Sequence, residues 1–513
     1  MGAPSIPGSS AGPRSRAAAI WALLGLQLLL VLPLAHALNL WVDEIYSLHT
    51  AAQGPLDALS RGIHFERQAP LYFGLLALWR EVDPSPFFAR LLSILCIGLS
   101  LFVVARIGRR LFPDVHPAWF AAPLALHPTA IWAALEIRVY ALAILLGGLV
   151  LGAGLRAFFA RERARGAWLA FVAASAVSLY TQYYLGFVVA ALGVALLATR
   201  RTRELWRYAL ALVAIALLCA PIALWLPEQT AGYGASPERL GLLGAIRFFA
   251  TILADELVPA HRLTHGIDSE TLRWLARGLL FAVFAAALLR LRVLSRLAQA
   301  PAALAVSIVV VVVALQFSAV GLLIGSHLVE APKYWSYLCL PATIALVSAI
   351  AALQRPQLLR VVVALLLAAD AAELLSTYRA LAKPTDMERV AELLMREEHP
   401  GEPILVFPSE WALTLRHYYR GVNPIVPVPH EPSLDRWNPQ DLGVQSDAQV
   451  RAMLAALPGD SGVVWLVKDD EIARGREILE RAIERDFSVE ETRTFYRENR
   501  VERLQRREPA PSR

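Results

Sequence analysis

The chain has 513 residues, 57% of them hydrophobic and only 18% charged, with a mean hydropathy of +0.48. That makeup excludes an ordinary soluble globular protein and points to a chain that crosses a membrane many times. The formal net charge is +6, but the basic residues fall mostly between apolar segments. This is the pattern of cytoplasmic membrane loops, so no nucleic-acid partner is expected.

Residues 1–16 form a Gly/Pro/Ser-rich start that carries Arg14 and Arg16 and is expected to be flexible and cytoplasmic. The apolar run from about Ala17 to Leu38 is long enough to span a bilayer. Ala35-His36-Ala37 also fits a signal-peptide cleavage pattern, although the run is longer than an ordinary signal core. On either reading the following polar stretch, Trp41-Val42-Asp43-Glu44-Ile45-Tyr46, emerges on the outside.

A second span is expected over about 87–105, ahead of the basic Arg106-Ile107-Gly108-Arg109-Arg110. The intervening Ala69–Trp79 run is too short to cross, so loop 39–86 is read as re-entrant, with Pro70 near the start of a helix and Tyr72 and Trp79 at headgroup level. Alternating basic loops then place spans at about 117–135, 141–160, 208–226, 274–289, 302–324, 335–353 and 359–375. The long run 167–199 has a basic cluster at each end and so must contain two spans, divided at Tyr180-Thr181-Gln182-Tyr183-Tyr184. The fold class is thus an α-helical polytopic membrane protein of about eleven transmembrane helices over 17–376, with the carboxyl terminus outside.

From about Thr377 charge density rises, and short apolar runs at 404–407 and 463–467 alternate with helical patterns at 387–397, 448–457 and 471–484. Residues 377–513 are read as a small extracytoplasmic α/β domain. The three cysteines, Cys96, Cys219 and Cys339, each lie in an apolar run and offer no disulfide framework.

The ionisable residues outside the tail, among them Asp43, Glu44, His64, Arg138, Asp255, Glu256 and Lys333, collect on the external side of the expected spans. A coupled transporter would place such groups inside its spans, so an enzyme with an external site is favoured. Asp43 and Glu44 also fit the end of a span marking the water boundary, and Arg138 fits a snorkelling residue paired with Glu136. His261 and His265, spaced i, i+4 near Asp255 and Glu256, fit a metal pair only if helical, and a solvated loop is the simpler reading.

In order and expected topology, Trp41-x-Asp43-Glu44, His64, Pro70-Leu71-Tyr72, Phe88-Ala89-Arg90-Leu91-Leu92-Ser93, Gly108 to Phe112, His127-Pro128 and Glu136-x-Arg138-x-Tyr140 resemble the type-C glycosyltransferases, in particular bacterial protein O-mannosyltransferases and lipid A aminoarabinose transferases. The resemblance covers about 20–350 and implies transfer of a sugar from a polyprenyl-phosphate donor to a cell-envelope acceptor, a glycan, lipid or protein, with inversion. It implies Asp43 as general base, supported by Glu44, and donor-phosphate contacts from Arg138, Lys333, His64, Tyr72 and Gln182; no metal ligand and no cofactor is assigned from the sequence. Gln182 stands where relatives often carry His, and Lys333-Tyr334 where they carry Arg-Tyr, so a donor is kept while an imidazole and a planar fork are lost. A lipid-linked sugar flippase or a non-catalytic assembly subunit are the alternatives. The expected location is the inner (plasma) membrane, in contact with its lipid.

Overall fold

A computed structural model describes residues 13–160, 165–230, 238–257, 270–329, 331–383, 385–435, 443–457, 462–469, 475–495 and 499–507. The chain forms two compact units, one of Met1–Ala35 with Gln68–Thr377 and the other of His36–Arg67 with Tyr378–Arg513.

The first unit is helical. Among the described residues five helices are long and apolar enough to cross a membrane: Arg16–Ala37, Pro86–Leu111, Tyr140–Phe159, Thr202–Leu224 and Pro301–Leu323. Shorter apolar helices cover Leu71–Arg80, Gly166–Leu179, Tyr183–Ala198 and Ser336–Ala351. Helices Glu270–Arg290 and Pro356–Thr377 cover two further expected spans, and the helix count is not exactly the eleven expected. Part of the reason is visible at 117–135, where the chain forms two short helices, Ala118–Leu126 and Pro128–Ala134, broken at His127. Pro128 occupies the first position of the second helix, the one place where its missing N–H and fixed φ cost nothing.

The divided run 167–199 follows the sequence expectation: helices Arg165–Leu179 and Gly186–Ala198 flank a tight turn at Tyr183–Leu185. Helices Pro86–Leu111 and Tyr140–Gly154 are mostly buried and approach closely because small residues face their neighbours. A methyl group on Gly148 would meet Leu340 at 2.6 Å and Val103 at 3.2 Å. The outer helices instead present Leu29, Leu217 and Leu224 to their surroundings, as lipid contact requires.

The second unit contains a five-stranded mixed sheet: β1 Ile404–Phe407, β2 Ile425–Pro427, β3 Val463–Asp469, β4 Phe487–Thr494 and β5 Asn499–Arg506, in the order β2-β1-β3-β5-β4. β1 pairs in parallel with β2 and β3, and β5 runs antiparallel to both β3 and β4. Alternation along the strands makes two cores. Ile404, Val406, Trp465, Val467 and Val501 pack with helices Met387–Glu397 and Trp411–Tyr418. Leu405, Phe407, Val464, Leu466 and Leu504 pack with helices Asp447–Ala455 and Arg476–Asp486. The result is helix, sheet, helix, with the continuous apolar runs of β1 and β3 at the centre.

Glu402 is a buried carboxylate of this unit that is well supplied with donors. Glu402 accepts from the Trp465 indole at 2.8 Å, the His399 backbone N–H at 3.0 Å and Arg503 at 3.2 Å. Burial alone would raise its pKa, but these donors together hold the carboxyl below its ordinary value of 4.5. A lowered folded-state pKa adds stability that is present above the ordinary value and is lost as pH falls through the lowered one. Thermal unfolding of the full-length protein is thus expected to weaken below about pH 4.5 through this group, and Glu402→Gln to flatten that dependence while lowering the melting temperature near neutrality. An unchanged acid profile in the variant would contradict this.

Candidate active site

Trp41 opens a helix, Val42–Thr50, whose first turn carries both Asp43 and Glu44. The Trp41 carbonyl accepts the first two helical bonds, from Glu44 and Ile45, at 3.0 and 3.1 Å. Carboxylates in a first turn face the positive end of the helix dipole, which favours their ionised form.

The two carboxylates then differ. Glu44 is wholly buried, and its Oε1 receives Lys383 Nζ at 2.9 Å, with the lysine side chain buried as well. Asp43 is half-buried. The surroundings of the pair are fixed by further bonds within the second unit. Asn39 accepts the Lys383 backbone N–H at 2.6 Å, and the Leu40 N–H donates to the Tyr418 hydroxyl at 2.6 Å. Tyr46 donates to Glu410 Oε2 at 3.1 Å and packs edge-on against Phe65 at 5.4 Å. Burial first, and the Glu410 carboxylate second, push the Tyr46 phenol far above its usual pKa, so it stays a donor. His64 ends the next helix, Pro55–His64, and is exposed.

The other expected residues lie in the membrane unit. Arg138 is buried in a segment, Leu135 to Ala141, that is buried throughout. Ser93 holds this segment by donating to the Glu136 carbonyl at 2.6 Å, and Arg90, also buried, donates to the Ala35 carbonyl at 2.8 Å near the end of the first long helix. The Arg90 and Ser93 positions of the sequence motif are thus occupied by groups that hold the backbone of other segments. His127 faces Glu256 across 3.8 Å, both buried. His261 and His265 lie outside the described residues.

Tyr72, Gln182 and Lys333 belong to segments in direct contact. The Leu71 N–H donates to the Tyr180 carbonyl at 2.9 Å, which seats the helix bearing Tyr72 on the turn bearing Gln182. Tyr184, two residues on, packs on Tyr334 at 5.7 Å and its carbonyl accepts from Tyr337 at 2.8 Å. Lys333 Nζ lies 5.9 Å from the Tyr334 ring centre. Gln182 Oε1 is buried and has no hydrogen-bond partner among the described residues. Rotating that amide by half a turn would put its NH2 in the same place, which suits an anion.

Lys383 and Glu410 are the residues that sequence reasoning missed. Lys383 stands more than three hundred positions from Glu44, yet composition carried a signal. Only three of the 49 basic residues are lysines, Lys333, Lys383 and Lys468. Two of them are buried in ion pairs, Lys468 with Glu502 at 2.8 Å and Lys383 with Glu44. Where a chain otherwise uses arginine, a compact ammonium marks a place where one carboxylate is met at one point. Lys383→Met removes a buried ammonium from beside the buried Glu44 carboxylate and is expected to destabilise the protein by about 3 kcal/mol, with Glu44→Gln added to the variant recovering much of the loss. Chemical denaturation of the full-length protein measures both, and a loss below about 1 kcal/mol for the single variant would contradict the pairing.

No family model and no curated protein matches the chain. Among solved structures it is similar to ArnT from Cupriavidus metallidurans in the apo state, with 16% identity and a TM-score of 0.55 over 95% of this chain and 98% of that one. The same protein bound to undecaprenyl phosphate matches with 14% identity and a TM-score of 0.54, over 96% of this chain and 98% of that one. The chain therefore has the ArnT fold, with a unit of apolar helices and a small sheet-containing unit, each built from two separate stretches of sequence.

Proposed function

We propose that this protein is a membrane glycosyltransferase that moves a sugar from a polyprenyl-phosphate carrier to a hydroxyl of a cell-envelope acceptor. The observation that carries the reading is the ArnT fold along nearly the whole chain, in a neighbour whose structure holds undecaprenyl phosphate. It is joined by the first-turn carboxylates of Val42–Thr50 and by a buried guanidinium, Arg138, in the membrane unit.

In the proposed reaction the acceptor oxygen attacks the anomeric carbon from the face opposite the phosphate. The carbon–oxygen bond to the carrier breaks with its electron pair, polyprenyl phosphate leaves, and the acceptor proton passes to the Asp43 carboxylate. Configuration at the anomeric carbon inverts. Glu44, neutralised by Lys383, holds the first turn of its helix in place rather than taking the proton. Arg138 meets the phosphate with its planar fork and Lys333 adds a point charge, while Tyr72, Gln182 and His64 supply hydrogen bonds. The external side of the plasma membrane is the proposed location, with the amino terminus cytoplasmic.

The test is turnover by the purified protein in lipid with a labelled polyprenyl-phosphate sugar and envelope acceptors. Asp43→Asn is expected to lower kcat by at least about a hundredfold with the melting temperature unchanged. Arg138→Lys keeps the charge and loses the fork, so KM for the donor should rise more than kcat falls. Translocation of the labelled lipid without turnover, or full activity in Asp43→Asn, would overturn the reading.

A further inference from the structure

Helices Pro13–Ala37 and Pro86–Leu111 run antiparallel, joined by Trp21 against Phe102 at 5.0 Å and by Leu24 closely approaching Gly98. The amino end of the first helix and the carboxyl end of the second therefore meet, and there Arg16, Arg106 and Arg109 line one cavity whose apolar wall includes Ile20 and Phe102.

No carboxylate among the described residues forms an ion pair with Arg16, Arg106 or Arg109. The Nε of Arg16 is shut away from solvent with no hydrogen-bond acceptor among the described residues. Helix electrostatics accounts for only half of this. Arg109, in a last turn, complements the negative end of its helix, but Arg16, in the first turns of the other, faces the positive end that disfavours a cation. A positive-inside signal needs only that basic residues lie in the loops, whereas here three guanidiniums converge on one concavity.

We infer that this cavity is a binding site for the phosphate headgroup of an anionic phospholipid, separate from the proposed sugar-transfer site and independent of it. A lipid source is favoured over a free anion by what adjoins the cavity. The same two helices expose Trp21, Leu26, Leu95 and Leu99, an apolar surface along which acyl chains can lie while the headgroup is held by the arginines.

The test is thermal unfolding of the purified full-length protein in neutral detergent, titrated with phosphatidylglycerol, phosphatidylcholine or inorganic phosphate. Phosphatidylglycerol should raise the melting temperature in a saturable way, while the other two at equal concentration should not. Arg16→Gln/Arg106→Gln/Arg109→Gln should raise the half-saturating concentration at least tenfold, and the lysine triple at the same positions by less, having kept the charge but lost the fork. Arg355→Gln/Arg360→Gln, which removes two exposed charges elsewhere, should leave it unchanged. Should the glutamine triple fail to fold, Arg106→Gln alone, at an exposed position, is expected to give about a fivefold rise. An equal response of wild type and these variants to phosphatidylglycerol overturns the inference. So does a shift of the same size with phosphatidylcholine or with inorganic phosphate, the last marking a site for free anions.

Discussion

A buried ammonium–carboxylate pair, Glu44 with Lys383, is the interaction around which the second unit is arranged. Neither charge could stay buried alone, because desolvation of an isolated ion costs several kcal/mol. Once paired they fix the first turn of helix Val42–Thr50, and neighbouring bonds from Asn39, Tyr46 and Tyr418 repeat the link between the segment 36–67 and the carboxyl-terminal part of the chain. The segment is thereby part of the same compact unit as the sheet, although in sequence it interrupts the membrane unit. Adjacent carboxylates in that turn are given different environments, one enclosed and neutralised, one half-buried.

The membrane unit uses its polar residues in a comparable way. In an apolar surrounding an unmatched carbonyl is expensive, so buried side-chain donors are placed where a helix ends or a turn bends. Arg90 meets the Ala35 carbonyl, Ser93 the Glu136 carbonyl and Tyr184 the Leu328 carbonyl at 2.6 Å. A network of Gln229, Tyr183, Trp225 and the Gln68 carbonyl closes a further corner, with distances of 2.9 to 3.0 Å. Several residues that stand out in the sequence as motif positions serve to hold the loops on which the proposed phosphate contacts lie.

What was readable in advance followed local periodicity. The apolar runs of β1 and β3, the helix 387–397, the helix expected over 471–484, whose residues 471–474 lie outside the described ones, and the break at Tyr180–Tyr184 all show in their own residues. The strands β4 and β5 do not, because β4 reads Phe-Ser-Val-Glu-Glu-Thr-Arg-Thr and lies largely exposed at the edge of the sheet, where little apolar alternation is needed. Counting spans from basic loops did not give the exact helix count, since the break at His127-Pro128 divides into two short helices a run that composition alone presents as continuous.

The sequence by itself determined that the chain enters a membrane, where its apolar helices lie and that a mixed α/β unit closes it, because hydrophobic length and alternation are local properties of consecutive residues. It also singled out Trp41 to Tyr46. Only the tertiary structure decided that Glu44 is committed to Lys383, that Arg16 shares a cavity with Arg106 and Arg109, and that 36–67 joins the carboxyl-terminal unit. Those facts rest on pairs far apart in the chain, brought together by the requirement that a buried charge find its partner, a requirement that no local pattern records.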